Sequence, residues 1–581
     1  MIRESRLKMS HTLGHSVAAT GLAQPTHTNS RIVQRYSQCY EQLRSLCTHP
    51  RQLREDTLLR CVETAALYAS AHHPGRLFDG AIENVALEIG KNLDRNTVAE
   101  ARAYLRQRPL RDGRSDKYRV LHVSPGAWQI GGHTRTLRNW ITIDQESRHS
   151  VLFTQAVDPA LVAGIGEDLR RGGGESIVLP GRMGLLVKAQ VLRSIAQSSA
   201  DLIVLHHSCN DVVPVVAFAT SDLPPVAFVN DCDHAFWLGS SVADIIVNHR
   251  EAGARWSEAR RAPAVNAVLP IPLAEPESCV GREEARRILG IPPDRLVLLT
   301  VGRAVKYRPT ASHDFLKTLR KVLNGVPNSH LYVVGLSADE ALEWQLDWKH
   351  PEIHLYGANP DPSIHRAAAD LYLESMPFGS ATALLEAGRQ GLPVVLPFAP
   401  TCELLVTNHG LEDLLSNPPT EEEYIRQVQC LLNNVEERKR LGESLRNRIC
   451  SQHTGEGWRR QLAGLCAHAR ALKHEPRPIP TTDCAVSVLD IAVSEWQAFL
   501  NGDVASATRD ARTVREIALM GAYRALWHRE YRGALELLWR CLCAFGLDTG
   551  LLVAAARVPA REVYRRCWPS LGGRVRNFFP A

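Results

Sequence analysis

No C-x-x-C pair occurs in the 581 residues, although the chain has 14 cysteines. Most stand singly in apolar helical or strand contexts, as at Cys39, Cys61, Cys430 and Cys466, and Cys541 and Cys543 are placed to face differently on a helix. That spacing excludes a zinc ribbon and a disulfide framework, and predicts buried free thiols in a reducing compartment. Also missing are an apolar run of about 18 residues and an early signal-peptide core, so neither a membrane span nor secretion is expected. The expected location is the cytoplasm, at most peripheral to a membrane. No dense basic stripe accompanies the net charge of +6, which argues against a nucleic-acid partner. No repeat of about 34 residues is found, which excludes a tetratricopeptide array.

What is present is ordinary globular material, 45% hydrophobic and 22% charged, too long for one core and suited to roughly three or four domain-sized pieces. Residues 1–30 lack periodicity and are expected to be mostly disordered. From 31 to 115 the spacing predicts helices, with Ile32, Tyr36, Tyr40 and Leu43 at three- and four-residue steps. At Tyr118 the pattern changes to short apolar runs alternating with helical stretches: YRVLHVS, SVLFTQ, SIVLP, DLIVLHH, PPVAFVN and DIIVNH. Residues 266–278, NAVLPIPLAEPES, read as a linker, after which the sheet pattern restarts with LVLLTVG, LYVVG, IHLYG, DLYLES and PVVLP. The expected fold class is therefore α/β, with Rossmann-like domains at 116–270 and 271–470 and ligand between them. A second linker at about 472 and a helical region at 471–581 complete the chain. The terminal arginines Arg561, Arg565, Arg566, Arg574 and Arg576 read as a solvated basic tail, with acidic lipid as the alternative contact.

The stretch 369–397 reads as strand, small-residue loop, helix start, glycine stop and strand. Pro377 to Thr382 form the loop, Leu384 to Glu386 open the helix, and Gly391 and Pro393 close it. Such a loop feeding a helix N-terminus is an anion site, because backbone N–H groups and the helix dipole face the ligand. Some 75 residues earlier, Gly302-Arg303-Ala304-Val305-Lys306-Tyr307-Arg308 places three cations after a strand end. Arginine suits bidentate phosphate contact and lysine a point charge.

These two stretches resemble the nucleotide-binding domain of GT-B glycosyltransferases, in particular family 4 or group 1 enzymes. The loop PFGSATALLEAG is similar to that of the O-linked N-acetylglucosamine transferases. The resemblance covers about residues 118–455 and implies two Rossmann-like domains facing a cleft. It implies a hexosyl transferase with a nucleotide-diphosphate sugar as donor, no cofactor, and a glycan, lipid-linked glycan or protein as acceptor. Gly131, Gly132, Arg303, Lys306, Gly379, Ser380, Ala381, Thr382 and Glu386 would then bind the donor, with Glu386 on the ribose and Lys306 stabilising the departing diphosphate. Arg308 would face solvent. Retaining members carry a first glutamate eight positions before the second; here Phe378 stands in its place. That departure favours inversion, with His234 or Asp231 as base; His206 and His207 are weaker candidates. Asp231 and Asp233 form a D-x-D, a metal-binding pattern in the other main glycosyltransferase fold, but cations already neutralise the diphosphate, so no metal is expected. The other readings left open are a sugar-nucleotide epimerase and a non-catalytic carbohydrate-binding or scaffold protein.

A chain with this anion site is stabilised by its ligand. UDP, GDP, ADP or dTDP at about 100 times its Kd is expected to add about 2.7 kcal/mol, read as a rise in Tm. No shift with any of the four refutes the donor site.

Overall fold

The computed structural model describes residues 30–48, 53–96, 99–107, 117–129, 132–206, 208–274, 280–310, 312–359, 361–400, 402–406, 409–481, 485–500, 514–523 and 531–545. Its first sheet has seven strands: β1 (Arg119–Ser124), β2 (Arg148–Phe153), β3 (Ser176–Val178), β4 (Leu202–His206), β5 (Val226–Asn230), β6 (Ile245–Asn248) and β7 (Val265–Val268), in the order β3-β2-β1-β4-β5-β6-β7. Its second has five: β8 (Leu296–Val301), β9 (Ser329–Val334), β10 (Ile353–Tyr356), β11 (Leu371–Leu373) and β12 (Val394–Val395), in the order β10-β9-β8-β11-β12. Every neighbouring pair is parallel. Parallel strands need helical crossovers that cover both faces, so strands such as β4 and β5 are buried at every position.

All the apolar runs expected to be strands are strands, and the two α/β domains are as expected. The linker is different. Val265 to Val268 pair with β6, so the stretch expected to begin the linker at 266 is the edge strand of the first sheet. Its side chains are half-buried and two prolines follow, which is why its pattern is weak.

In both sheets the strand order reverses at one place, between β1 and β4 and between β8 and β11. Ligands of open parallel sheets bind beyond the carboxyl ends of the strands at such a switch point. The loops after β8 and β11 are those of 302–308 and 374–382. Gly132 opens the helix that follows β1, and His206 is the last residue of β4.

The helical ends are not separate domains. Helices Ser30–Thr48, Glu55–Ala71 and Gly80–Lys91 contribute Leu43, Val62 and Ile82 to a core that also holds Leu192, Ile203 and Phe228 of the first domain. Ile517 and Ala522 from 514–523 and Leu537 from helix Tyr531–Phe545 enter the same core. The boundary at 470 also divides the chain differently from its packing. Helix Gly455–Arg470 returns to the first sheet, where Trp458, Leu462 and Cys466 pack with Val120, Trp140 and Val204. Residues 472–481, expected to be a linker, are a strap bound to the first domain. His474 lies 2.7 Å from Asp244, and Arg477 donates to the carbonyls of Ala243 and Ala262. Residues 1–29 and the basic tail lie outside the described residues. Cys430 and Cys450 are exposed, unlike the buried thiols Cys39, Cys61 and Cys466.

Helix Val488–Leu500 is locked by one buried carboxylate. Asp490 accepts from Arg260 at 3.1 Å and meets His73 Nε2 at 2.7 Å. Burial opposes its ionisation, but His73 and Arg260 outweigh that and hold it well below the usual carboxylate range. Removing one member of such a set leaves the others buried without compensation. Asp490→Ala is expected to cost about 3–5 kcal/mol in a denaturant titration; a loss within the about 0.5 kcal/mol usual for surface changes refutes the lock.

Candidate functional site

The loop after β8 is pressed against the loop after β11. A Cβ at Gly302 would lie 2.6 Å from Ser380 Oγ. Gly335, at φ +104°, leaves no room either, since a Cβ there would lie 2.1 Å from the Gly302 carbonyl oxygen. With both positions bare, the short turn Ala304–Tyr307 carries Lys306 across the gap, and its Nζ donates to the Gly379 carbonyl. Lys306 is half-buried rather than open to solvent. Burial lowers its pKa, Glu374 raises it and Arg303 lowers it, for a value of about 8. Arg303 is exposed. Arg308 does not face solvent as expected; its guanidinium lies 3.9 Å from the centre of the Trp344 ring, because the turn swings it back onto the domain.

Glu374 ends β11 and is 1% exposed. It accepts from the backbone N–H groups of Ser375 and Ser380, both at 2.7 Å. Burial raises its pKa, while the Lys306 charge and these hydrogen bonds lower it, for a net rise. The Ser380 N–H, expected to face the diphosphate, is therefore already taken. Helix Ala381–Arg389 follows, and Ala381 and Thr382 head it, where N–H groups have no partner within the helix. Glu386, one turn further, is buried between two arginines. Arg135 donates to Oε1 at 2.6 Å, and Arg366 lies 2.8 Å from Oε2 without hydrogen-bond geometry. Oε2 thus keeps an open position for a hydroxyl donor.

Across the cleft, a Cβ on Gly132 would lie 3.7 Å from Thr382 Oγ1, so the glycine turn faces the donor loop. Gly131 and His207 lie outside the described residues. Thr134 does not cap its helix, which starts at Gly132; its Oγ1 accepts from the Trp128 N–H at 2.8 Å and pins the preceding turn.

The segment after β5 sorts its acids. Asp231 meets His249 Nε2 at 2.8 Å and His133 Nδ1 at 3.3 Å. Burial opposes its ionisation, but the His133 charge and bonds from both histidines hold it well below the carboxylate range. His133 in turn is raised well above an ordinary histidine; burial works against this, and the Asp231 charge outweighs it. Asp233 is gripped by Arg250 at 2.8 and 2.9 Å. His234 has Nδ1 3.7 Å from Asp233 and its ring 4.9 Å from Phe378 of the donor loop. Burial lowers its pKa against the pull of Asp233, so it is neutral at pH 7. His206 sits behind, its Nε2 3.0 Å from His122 Nδ1.

The structure thus brings Lys306, Arg303, Gly379 to Thr382, Glu386, Gly132 and His234 to one cleft, with Asp231 at its first-domain wall. Sequence reasoning missed Glu374, His249, His133, Arg135 and Arg250. Glu374 and His249 carried a signal, since Glu374 directly follows the buried run Leu371–Leu373 and His249 directly follows the strand Ile245–Asn248.

Residues 295–434 match the family model described as Glycosyl transferases group 1. That stretch, β8 to the end of the helix after β12, is similar to the group 1 glycosyltransferase family. The match includes Arg303, Lys306, Glu374, the 379–382 loop and Glu386. No curated protein sequence matches the chain. It is similar to solved structures of sucrose-phosphate synthase from Thermosynechococcus elongatus (14% identity, 61% of this chain and 100% of that one, TM-score 0.44). Others are Alr3699/HepE of Anabaena in complex with UDP and glucose (15%, 60% and 99%, TM-score 0.45) and a mutant O-GlcNAc transferase of Thermobaculum terrenum (16%, 76% and 82%, TM-score 0.45).

Buried histidines, His206 and His453 among them, weaken the fold at acid pH. Burial pushes His206 and His453 down to about 4. The unfolded chain takes up protons at about pH 6.5 that the folded chain refuses. Their contribution is therefore complete above pH 6.5 and is lost as pH falls from 6.5 towards 4. Each is expected to cost about 1.4 kcal/mol per pH unit within that window. Urea titrations from pH 7 to 4.5 check this, and a flat profile refutes it.

Proposed function

We propose that the chain transfers a hexosyl group from a nucleoside-diphosphate sugar to a glycan, lipid-linked glycan or protein acceptor, with inversion and without a metal ion. The observation that carries this is the convergence of Lys306, Arg303 and the head of helix Ala381–Arg389 on one anion site, with neutral His234 facing the same loop. The second domain binds the diphosphate and, through Glu386, the ribose. Lys306, Arg303 and the N–H groups of Ala381 and Thr382 stabilise the charge that develops on the leaving group. With Nδ1 turned to Asp233, His234 keeps Nε2 to take the proton of the acceptor hydroxyl. The acceptor oxygen then bonds the anomeric carbon from the face opposite the departing diphosphate, which inverts the configuration.

Asp231 is a poor base, because two histidines hold it ionised; it positions His133 and His249 instead. The D-x-D acids do not suit a shared cation, since Arg250 occupies both oxygens of Asp233. Neutralisation falls to Lys306 and Arg303. Phe378, in place of a first glutamate, fits the same scheme, because no carboxylate other than Glu374 and Glu386 belongs to the donor loop and helix.

The test uses a panel of UDP-, GDP- and dTDP-sugars with candidate acceptors. His234→Ala is expected to lower transfer by about 10²–10⁴ while nucleotide affinity changes less than about twofold. NMR of the anomeric product is expected to show inversion, and EDTA to leave the rate unchanged. Retained configuration, full activity of the variant, or loss in EDTA restored by manganese each overturns the mechanism. Release of free nucleotide without transfer to any acceptor favours the epimerase reading.

A further inference from the structure

The helical C-terminal region shows no catalytic signal in sequence, yet it reaches the cleft. Helix Val488–Leu500 presents Trp496 to the donor loop. The indole stacks on Phe378 with ring centres 4.6 Å apart and an interplanar angle of 23°. His234 lies 6.5 Å from the same indole, and the Lys306 ammonium is 5.2 Å from the centre of the Phe378 ring. The Phe378 ring therefore touches the Lys306 ammonium, the His234 ring and the Trp496 indole together.

The Trp496 indole N–H is buried and has no acceptor among the described residues. An unpaired buried donor costs free energy, which a ligand oxygen would offset. The helix is also held too firmly for Trp496 to be an incidental visitor. Asp490 binds Arg260 and His73, Gln497 donates to the Ser70 carbonyl at 2.8 Å, and Leu489 and Val493 are buried beside Leu404 and Leu405. An aromatic surface with one convergent polar group is the usual lining of a small-molecule subsite.

We propose that Trp496 and Phe378 form the wall of the donor-sugar subsite, packing on the apolar face of the pyranose while the indole N–H meets one of its oxygens. Trp496 is then a positioning and specificity residue delivered from outside both Rossmann-like domains. This rests on the diphosphate site proposed above, because the sugar is attached at the phosphate that Lys306 holds. A pyranose of the acceptor would offer the same chemistry, and comparing nucleotide with sugar nucleotide separates the two sources.

Calorimetric titration with UDP, UDP-glucose, UDP-N-acetylglucosamine, GDP and GDP-mannose tests it on the full chain. For the nucleotide that binds, Trp496→Ala is expected to weaken the sugar nucleotide about five- to tenfold and to leave the nucleoside diphosphate within about twofold. Trp496→Phe keeps a ring and is expected to recover part of the loss; it also serves if Trp496→Ala fails to fold. Equal weakening of both ligands shows a merely structural residue and overturns the proposal. So does unchanged affinity for both, which would leave the rings to the acceptor. If the native chain binds none of the five, the diphosphate site itself is refuted.

Discussion

One buried carboxylate fixes the donor site. Glu374 lies at the end of a central strand, shielded from water, where an isolated charge costs several kcal/mol. Its cost is offset by two backbone N–H groups from its own loop and by the charge of Lys306 from the neighbouring strand's loop. Those contacts bend the 375–380 loop back on itself. Lys306 is then held by the Gly379 carbonyl, and the small residues on both sides let the two loops touch. The spacing between cation and helix head, on which diphosphate binding depends, follows from satisfying Glu374. Loss of that carboxylate would free the Ser380 N–H but release the loop that makes it useful.

The same economy of buried charge joins the outer helices to the domains. Asp490, with Arg260 and His73, is the counterpart at the far end of the chain. The first sheet, the N-terminal helices and the C-terminal hairpin share one core, so the extensions fold as part of the first domain. The return helix Gly455–Arg470 belongs there as well, through Trp458 and Trp140 at 5.5 Å. The contacts across the cleft are both polar, as in Arg135 with Glu386 and Arg250 with the Leu404 carbonyl, and apolar, as in Leu489 and Val493 beside Leu404 and Leu405.

Much of this was legible in sequence because parallel strands buried on both faces write themselves as continuous apolar runs. The small-residue loop and the basic turn were legible for a related reason: close backbone approach permits little but Gly, Ala, Ser and Thr. β7 was not legible, since an edge strand carries no such run. The strap at 472–481 looked like a linker because its order comes from long-range bonds of His474 and Arg477, which proline-rich composition does not reveal. Arg308 was misplaced because a turn of four residues decides its direction. Trp496 had no local signal at all, since its place depends on the packing of a helix against residues distant in sequence, from Leu405 to Ser70.

The charge balance of the cleft shows why a diphosphate suits it. Asp233 is matched by Arg250, Asp231 by His133 and His249, Glu386 by Arg135 and Arg366, and Glu374 by Lys306. Arg303 makes no ion pair among the described residues, and it crowds Lys306 from the other side. Burial and this crowding together bring the lysine to about 8, close to the loss of its proton at physiological pH. An anion placed between them removes the repulsion and favours the charged lysine. Ligand and proton therefore support one another at this site. The cleft holds its cations at some electrostatic cost, which an anion bound between them would relieve.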